Sequence, residues 1–208
     1  LNNGVTWRPI FEHESAFAIG DVAVSASNPD IVWVGTGEAQ PRFAGYAYPG
    51  TGVFKSLDAG GSWKAMGLAE TQHIAKVVIH PTDPNIVYVA AMGRQWSPNP
   101  ERGVFRTTDG GAHWEHVLSI DDSTGVIDLV IDPKDPTTLY AWAWQIEAGR
   151  RGGLFKSSDG GGTWRHIAAG LPGGLLGRAG LDIATKDPRT LYLYLDNRNP
   201  TTVADRPY

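Results

Sequence analysis

A chain of 208 residues is long enough to bury a core, as one domain or as several stacked repeats. Its net charge of −4 offers no basic surface to nucleic acid, and the absence of cysteine excludes disulfides and thiolate-bound metal. No apolar run approaches the roughly 20 residues of a membrane helix, so membrane insertion is not expected. The 26 glycines and 8 tryptophans, with only 19% charged residues, suit many short strands joined by tight turns.

The chain opens on Asn2-Asn3-Gly4-Val5-Thr6-Trp7, the end of a motif that then recurs in full. Complete copies read Ser56-Leu57-Asp58-Ala59-Gly60-Gly61-Ser62-Trp63, Thr107 to Trp114, and Ser157 to Trp164. Each follows a Gly-aliphatic-Phe-basic run: GVFK at 52, GVFR at 103 and GLFK at 153. A second landmark keeps step with it, at Asn28-Pro29, Asp83-Pro84, Asp135-Pro136 and Asp187-Pro188. A constant period near 50 residues, built of strands and turns, predicts a β-propeller with one four-stranded blade per period.

In chain order, Thr6–Phe11 is expected as the outer strand of a preceding blade, within segment 1–11. The blade over 12–67 takes strands at Val22–Ser25, Ile31–Val34, Gly52–Lys55 and Trp63–Met66. The blade over 68–118 takes Ile74–Ile79, Ile86–Ala91, Gly103–Thr107 and Trp114–Leu118. The blade over 119–169 takes Val126–Ile131, Thr138–Trp144, Gly153–Lys156 and Trp164–Ile167. A partial blade over 170–208 has Leu181–Ala184 and Leu191–Leu195, with a short helical turn placed around Gly170–Leu176. The first and second strands read as alternating or continuous apolar runs, as half-buried and fully buried strands do.

The repeated motif is a turn between third and fourth strands. Its acidic residue (Asp58, Asp109, Asp159) folds onto backbone N–H groups further along. The glycines at 60, 111 and 161 take positive φ, and Trp63, Trp114 and Trp164 offer a large apolar face to a neighbour. An element present in every unit serves to build the unit, so these residues read as structural rather than catalytic.

Strand order then assigns the loops. The motif turns and the Asp-Pro turns share one face of the propeller, and the variable second-to-third links occupy the other. Those links are 35–51, 93–102 and 145–152. They carry Glu38, Gln40, Arg42, Phe43, Tyr46 and Tyr48, then Arg94, Gln95, Trp96, Asn99 and Glu101, then Glu147, Arg150 and Arg151. Aromatic rings beside carboxylates, amides and guanidinium groups suit a carbohydrate, whose C–H face lies on a ring while planar polar groups take its hydroxyls. The same residue types suit a protein or peptide partner. Glycoside hydrolysis needs two carboxylates across the bond; Glu38, Glu101, Asp121, Asp122 and Glu147 are the candidates for that role, Glu38 and Glu101 foremost. Neither a cofactor nor a metal is expected: the histidines share no ligand spacing, and Asp121-Asp122 lacks the calcium-loop pattern.

The motifs resemble the BNR or Asp-box repeats of sialidases, sortilin-type receptors, xyloglucanases and photosystem assembly factors. VGTGE at 34–38, HIAKVVIHPTDPNIVYVAAMG at 73–93, ERGVFRTTDGGAHWE at 101–115 and TGVIDLVIDP at 124–133 are similar to one bacterial group in particular. Its members are large exported proteins labelled BNR-repeat glycosyl hydrolases or sortilin-like proteins. The resemblance implies an all-β propeller forming part of a larger one, in a secreted, periplasmic or cell-surface protein. It implies a recognition or scaffold role, or alternatively a glycoside hydrolase whose site other parts complete. Two further arrangements are open: residues 6–11 closing a small ring on the last blade, or a second copy closing one ring together with the first.

Overall fold

The computed structural model describes residues 3–38, 47–145 and 151–199. The first sheet is β1 (Ile19–Val24), β2 (Val32–Thr36), β3 (Val53–Ser56) and β4 (Lys64–Ala65), paired in that order. The second is β5 (Ile74–Ile79), β6 (Val87–Ala91), β7 (Gly103–Thr107) and β8 (Glu115–Leu118). The third is β9 (Thr124–Ile131), β10 (Leu139–Gln145), β11 (Gly153–Ser157) and β12 (Arg165–Ile167). Last come β13 (Leu176–Ile183) and β14 (Leu191–Asn197), paired as a two-stranded sheet. Every pairing is antiparallel between chain neighbours, so the described residues form a run of meander blades: three of four strands, then a pair of inner strands.

The blades stack through their faces, with β1, β5, β9 and β13 side by side. Trp33, Val53, Ile74, Val77, Val87 and Val89 fill the first junction. Tyr88, Val104, Leu129, Leu139 and Ala141 fill the second, and Trp142, Trp144, Leu154 and Leu181 the third. β6 is buried along its whole length because it has a neighbour on both faces, which explains its unbroken apolar run. Each such side chain contributes about 1.5–3 kcal/mol on burial. Where inner strands approach most closely a side chain has no room: a Cβ on Gly20 would lie 1.8 Å from the Ile74 carbonyl oxygen.

The Asp-box turns share one hydrogen-bond scheme. In the first, the Ser56 hydroxyl donates to Asp58 (2.7 Å) and accepts the Gly60 N–H (2.8 Å), while Asp58 accepts the Ser62 N–H (2.8 Å). Thr107–Asp109–Gly111–His113 and Ser157–Asp159–Gly161–Thr163 repeat it. These donors stabilise the ionised carboxylates. Asp58 is lowered to about 2, with the Ser56 hydroxyl as the largest cause, and Asp159 to about 2, with Thr163 first. Asp109 is lowered chiefly by the His113 N–H.

Each box also bonds the first-to-second turn of its own blade: Ala59 to Asp30, Gly110 to Asn85 and Gly160 to Thr137, at 2.8–2.9 Å. Boxes and Asp-Pro turns therefore lie on one face. The basic residue that ends the first two Gly-aliphatic-Phe runs fastens blade to blade. Lys55 reaches the Gly110 carbonyl at 3.1 Å and Arg106 the Gly160 carbonyl at 2.7 Å.

Two local expectations need correction. Residues 6–11 form bends rather than an outer strand. The segment still lies where a preceding outer strand would. The Trp63 indole donates to the Ile10 carbonyl, as Trp114 does to Met66, and Phe11 meets Phe54 and Trp63 edge-on. The short helix among the described residues is a 3-10 turn at Ala69–Thr71, not near 170–176. There, a single Leu171-to-Ala168 backbone bond is followed directly by β13.

Candidate functional site

Among the described residues of the face opposite the boxes, the β6–β7 loop is complete, and one buried cation organises it. Arg102 is nearly inaccessible. Its guanidinium donates to the carbonyls of Met92, Arg94, Ser97 and Asp122. Burial lowers its pKa, opposed by Asp121 and Asp122 nearby. Asn99 is also buried, with its N–H on the Asp122 carbonyl at 2.8 Å. The acidic pair 121–122 is thus a fastener: Asp122 lends its carbonyl to this loop, and Asp121 pairs with Arg151 at 3.4 Å.

On that frame Trp96 stands 68% exposed and Tyr48 65% exposed. Their loops are tied together, because the Ala47 N–H donates to Gln95 Oε1 at 3.1 Å. The Glu38 N–H donates to the Tyr48 carbonyl at 2.9 Å, and His73 Nδ1 lies 3.1 Å from the Glu38 carbonyl. His73 is buried, which lowers its pKa and favours the neutral ring. The segments carrying Glu38, Tyr48, Gln95 and Trp96 are therefore linked, by one backbone bond and one glutamine side chain. Arg94 is held by Glu70 in a 2.9 Å ion pair, and Glu101 is half-buried on the same loop. Gln40, Arg42, Phe43, Tyr46, Glu147 and Arg150 lie outside the described residues.

Sequence reasoning passed over the blade axis, where a cavity of about 820 Å³ opens. All four blades line it, with Asp21, Glu38, Lys76, Asp128, Arg178 and Asp196 as its charged groups. Asp21, Lys76, Asp128 and Gly180 stand at the same place in their inner strands, seven residues before each Asn/Asp-Pro landmark. Asp21 accepts the Val77 N–H of the next blade at 2.9 Å and pairs with Lys76 at 3.6 Å. Asp128 accepts the Leu181 N–H of the next blade at 2.7 Å and the Leu129 N–H at 2.9 Å. Burial raises the Asp128 pKa, more than these donors lower it. With one N–H on each oxygen, Asp128 is a fastener and not a free acid. Glu38 lines the cavity and Glu101 does not, so these two candidates do not face one another across it. Among the described residues no group of three or more His, Asp or Glu side chains could hold a metal.

Solved structures resembling this chain are propellers. An ancestral GH74 enzyme superposes over 86% of the chain with a TM-score of 0.63 at 17% identity. The GH74 xyloglucanase from Xanthomonas campestris covers 78% (TM-score 0.52, 20% identity), and YCF48 from Cyanidioschyzon merolae covers 86% (TM-score 0.55, 14% identity). The chain spans 22% and 25% of the two GH74 enzymes and 52% of YCF48. Identities this low establish the propeller fold alone. No curated protein matches the chain. A family model described as "Sortilin, neurotensin receptor 3" matches residues 51–194, most of the chain, which therefore belongs to the Sortilin-Vps10 family.

Proposed function

We propose that the chain is a recognition segment of an exported protein, which binds carbohydrate on the face opposite the Asp boxes. One observation carries the reading: two exposed rings, Tyr48 and Trp96, ride on loops held by the Gln95 side chain, the Glu38 backbone N–H and the Arg102 guanidinium. A ring held in place before binding loses little entropy when a sugar C–H face covers it. Glu38 and the paired Arg94 and Glu70 supply polar groups close by in the chain for hydroxyls.

Among the described residues no helix is long and apolar enough to cross a membrane. Export is inferred from the resemblance to exported BNR-repeat proteins. The hydrolase alternative has less support in this chain, because the buried Asp128 is spent on backbone N–H groups and Glu101 stands off the cavity. A protein or peptide ligand is the competing reading, and the description of the matching family model names a neurotensin receptor.

A panel of poly- and oligosaccharides, scored for both bound and released sugar, tests the proposal. Saccharide binding without release is expected, weakened at least about tenfold by Trp96→Ala. Because Trp96 is exposed, the melting temperature should not move. No binding by any saccharide, or binding indifferent to both Trp96→Ala and Tyr48→Ala, would sink it. Released sugar would establish the hydrolase instead.

A further inference from the structure

The two segments that carry the exposed rings meet on residues 70–73, which lead into β5. Toward the β6–β7 loop, Glu70 pairs with Arg94 and its carbonyl accepts the Asn99 side-chain amide at 3.4 Å. The His73 carbonyl accepts the Met92 N–H at 2.9 Å. Toward the segment of Glu38 and Tyr48, the Gln72 carbonyl accepts the Gly50 N–H at 2.6 Å, and the His73 ring bonds the Glu38 carbonyl. Gln72 holds φ 56°, a left-handed value that a residue with a side chain keeps only where its surroundings fix it. Gly37, at φ 92°, lies too close to that carbonyl to carry a Cβ.

The imidazole of His73 is an addition to the blade pattern. Its equivalents, three residues before Asp21, Asp128 and Gly180, are Ala18, Gly125 and Gly177. The Ala18 carbonyl accepts the Gly37 N–H as the His73 carbonyl accepts that of Met92, so strand pairing needs no side chain here. The ring is nonetheless buried. A carbonyl can only accept, so the neutral ring carries its proton on Nδ1 and donates it to Glu38. Glu38 in turn donates its N–H to the Tyr48 carbonyl. On the other side, Arg102 holds the Met92 carbonyl together with those of Arg94 and Ser97, which flank Trp96. A path of hydrogen bonds thus runs from Tyr48 to the loop of Trp96 through His73. Ala47 on Gln95 and Gly50 on Gln72 hold the Tyr48 end of its segment, and His73 holds the Glu38 end.

We propose that His73 is a positioning residue for the ligand face, whose Nδ1–H fixes Glu38 and Tyr48 relative to Trp96. Without that donor the Glu38 carbonyl loses its partner, Glu38 and Tyr48 shift together, and the two rings no longer present one surface. The identity of the ligand rests on the saccharide reading above. The coupling between the segments does not.

Two substitutions separate the donor from the bulk. His73→Asn keeps an N–H near the place of Nδ1 on a smaller side chain, and His73→Leu keeps the bulk without the donor. Amide hydrogen exchange reads the coupling with no ligand present, at the Glu38 and Ala47 N–H groups. The Gly111 N–H on the box face is the control, and its unchanged exchange shows that the fold is intact. His73→Leu should speed exchange at Glu38 and Ala47 about tenfold and weaken saccharide binding about tenfold, while His73→Asn stays close to wild type in both. Wild-type exchange in His73→Leu overturns the proposal. So does faster exchange in the asparagine variant than in the leucine variant, which would make the ring a filler of space. Exchange that follows the expected pattern while every variant binds saccharide equally well overturns it too. If the wild-type chain binds no saccharide of the panel, the saccharide reading fails, and the exchange pattern alone decides the role of His73.

Discussion

The two faces of this propeller are built on opposite plans. On the box face the same buried hydroxyl, the same carboxylate and the same backbone N–H recur in three blades, with every partner inside the unit. On the other face the β6–β7 connection is held by devices that the box turns do not use. A buried guanidinium gathers four carbonyls in the β6–β7 loop, a glutamine side chain ties loop to loop at Ala47, and an ion pair joins Arg94 to Glu70. A surface whose polar groups are consumed identically in each unit has nothing left with which to distinguish one ligand from another. Variety on a rigid frame is what selectivity requires.

The largest effect is expected where one side chain of the variable face serves four acceptors. Arg102→Ala removes the donors of four carbonyls in one step and leaves a cavity among buried groups. The cost should be at least about 3 kcal/mol, and the loop carrying Trp96 should lose its order. Denaturant unfolding measures the first, and proteolytic nicking between 93 and 101 the second. An Arg102→Ala protein with wild-type stability and an intact loop would show that the clasp is incidental and that the loop stands on its own packing.

A smaller effect is expected on the repeated face, where support is shared among three boxes. Thr107 is buried, and its hydroxyl accepts the Gly111 N–H at 2.9 Å and donates to Asp109 at 2.8 Å. Thr107→Val keeps the shape but strands that N–H, at a cost of about 1–3 kcal/mol. Saccharide affinity of the folded protein should be unchanged, since the lesion lies on the far face. Lost affinity at full stability would mean that the faces have been assigned the wrong way round.

How much of this could be read from the residues follows the same division. β5 and β7 fall on Ile74–Ile79 and Gly103–Thr107 as the apolar pattern predicts, because their faces and bounding turns are both signalled locally. The box turns were legible for the same reason: their donors and acceptors sit within eight consecutive residues. The N-terminal segment was not. Its place is fixed by Trp63 and Phe54, more than forty residues away, and those contacts need no strand. Nor was the Arg102 clasp legible, since an arginine that ends a polar loop looks like a solvated one until its four acceptors converge. The axial cavity was hidden differently. Asp21, Lys76 and Asp128 share a register but not a residue type, so no motif marks the position.

The smallest effect, of opposite sign, distinguishes the first box from its copies. Ala59 sits at φ 55°, a left-handed conformation that its equivalents Gly110 (72°) and Gly160 (66°) adopt without a side chain. Its Cβ crowds the following carbonyl, at about 1–2 kcal/mol. Glycine would relieve that crowding while giving the unfolded chain more freedom, at about 0.5–1 kcal/mol. The balance predicts that Ala59→Gly stabilises the protein by about 0.5–1 kcal/mol. The residue is exposed and its N–H bond to the Asp30 carbonyl survives the change, so no packing or hydrogen-bond loss complicates the comparison. A rise in the denaturant midpoint at unchanged slope is the expected observation. A fall would mean that the first box holds its shape through the methyl group, and that the three boxes are not energetically equivalent.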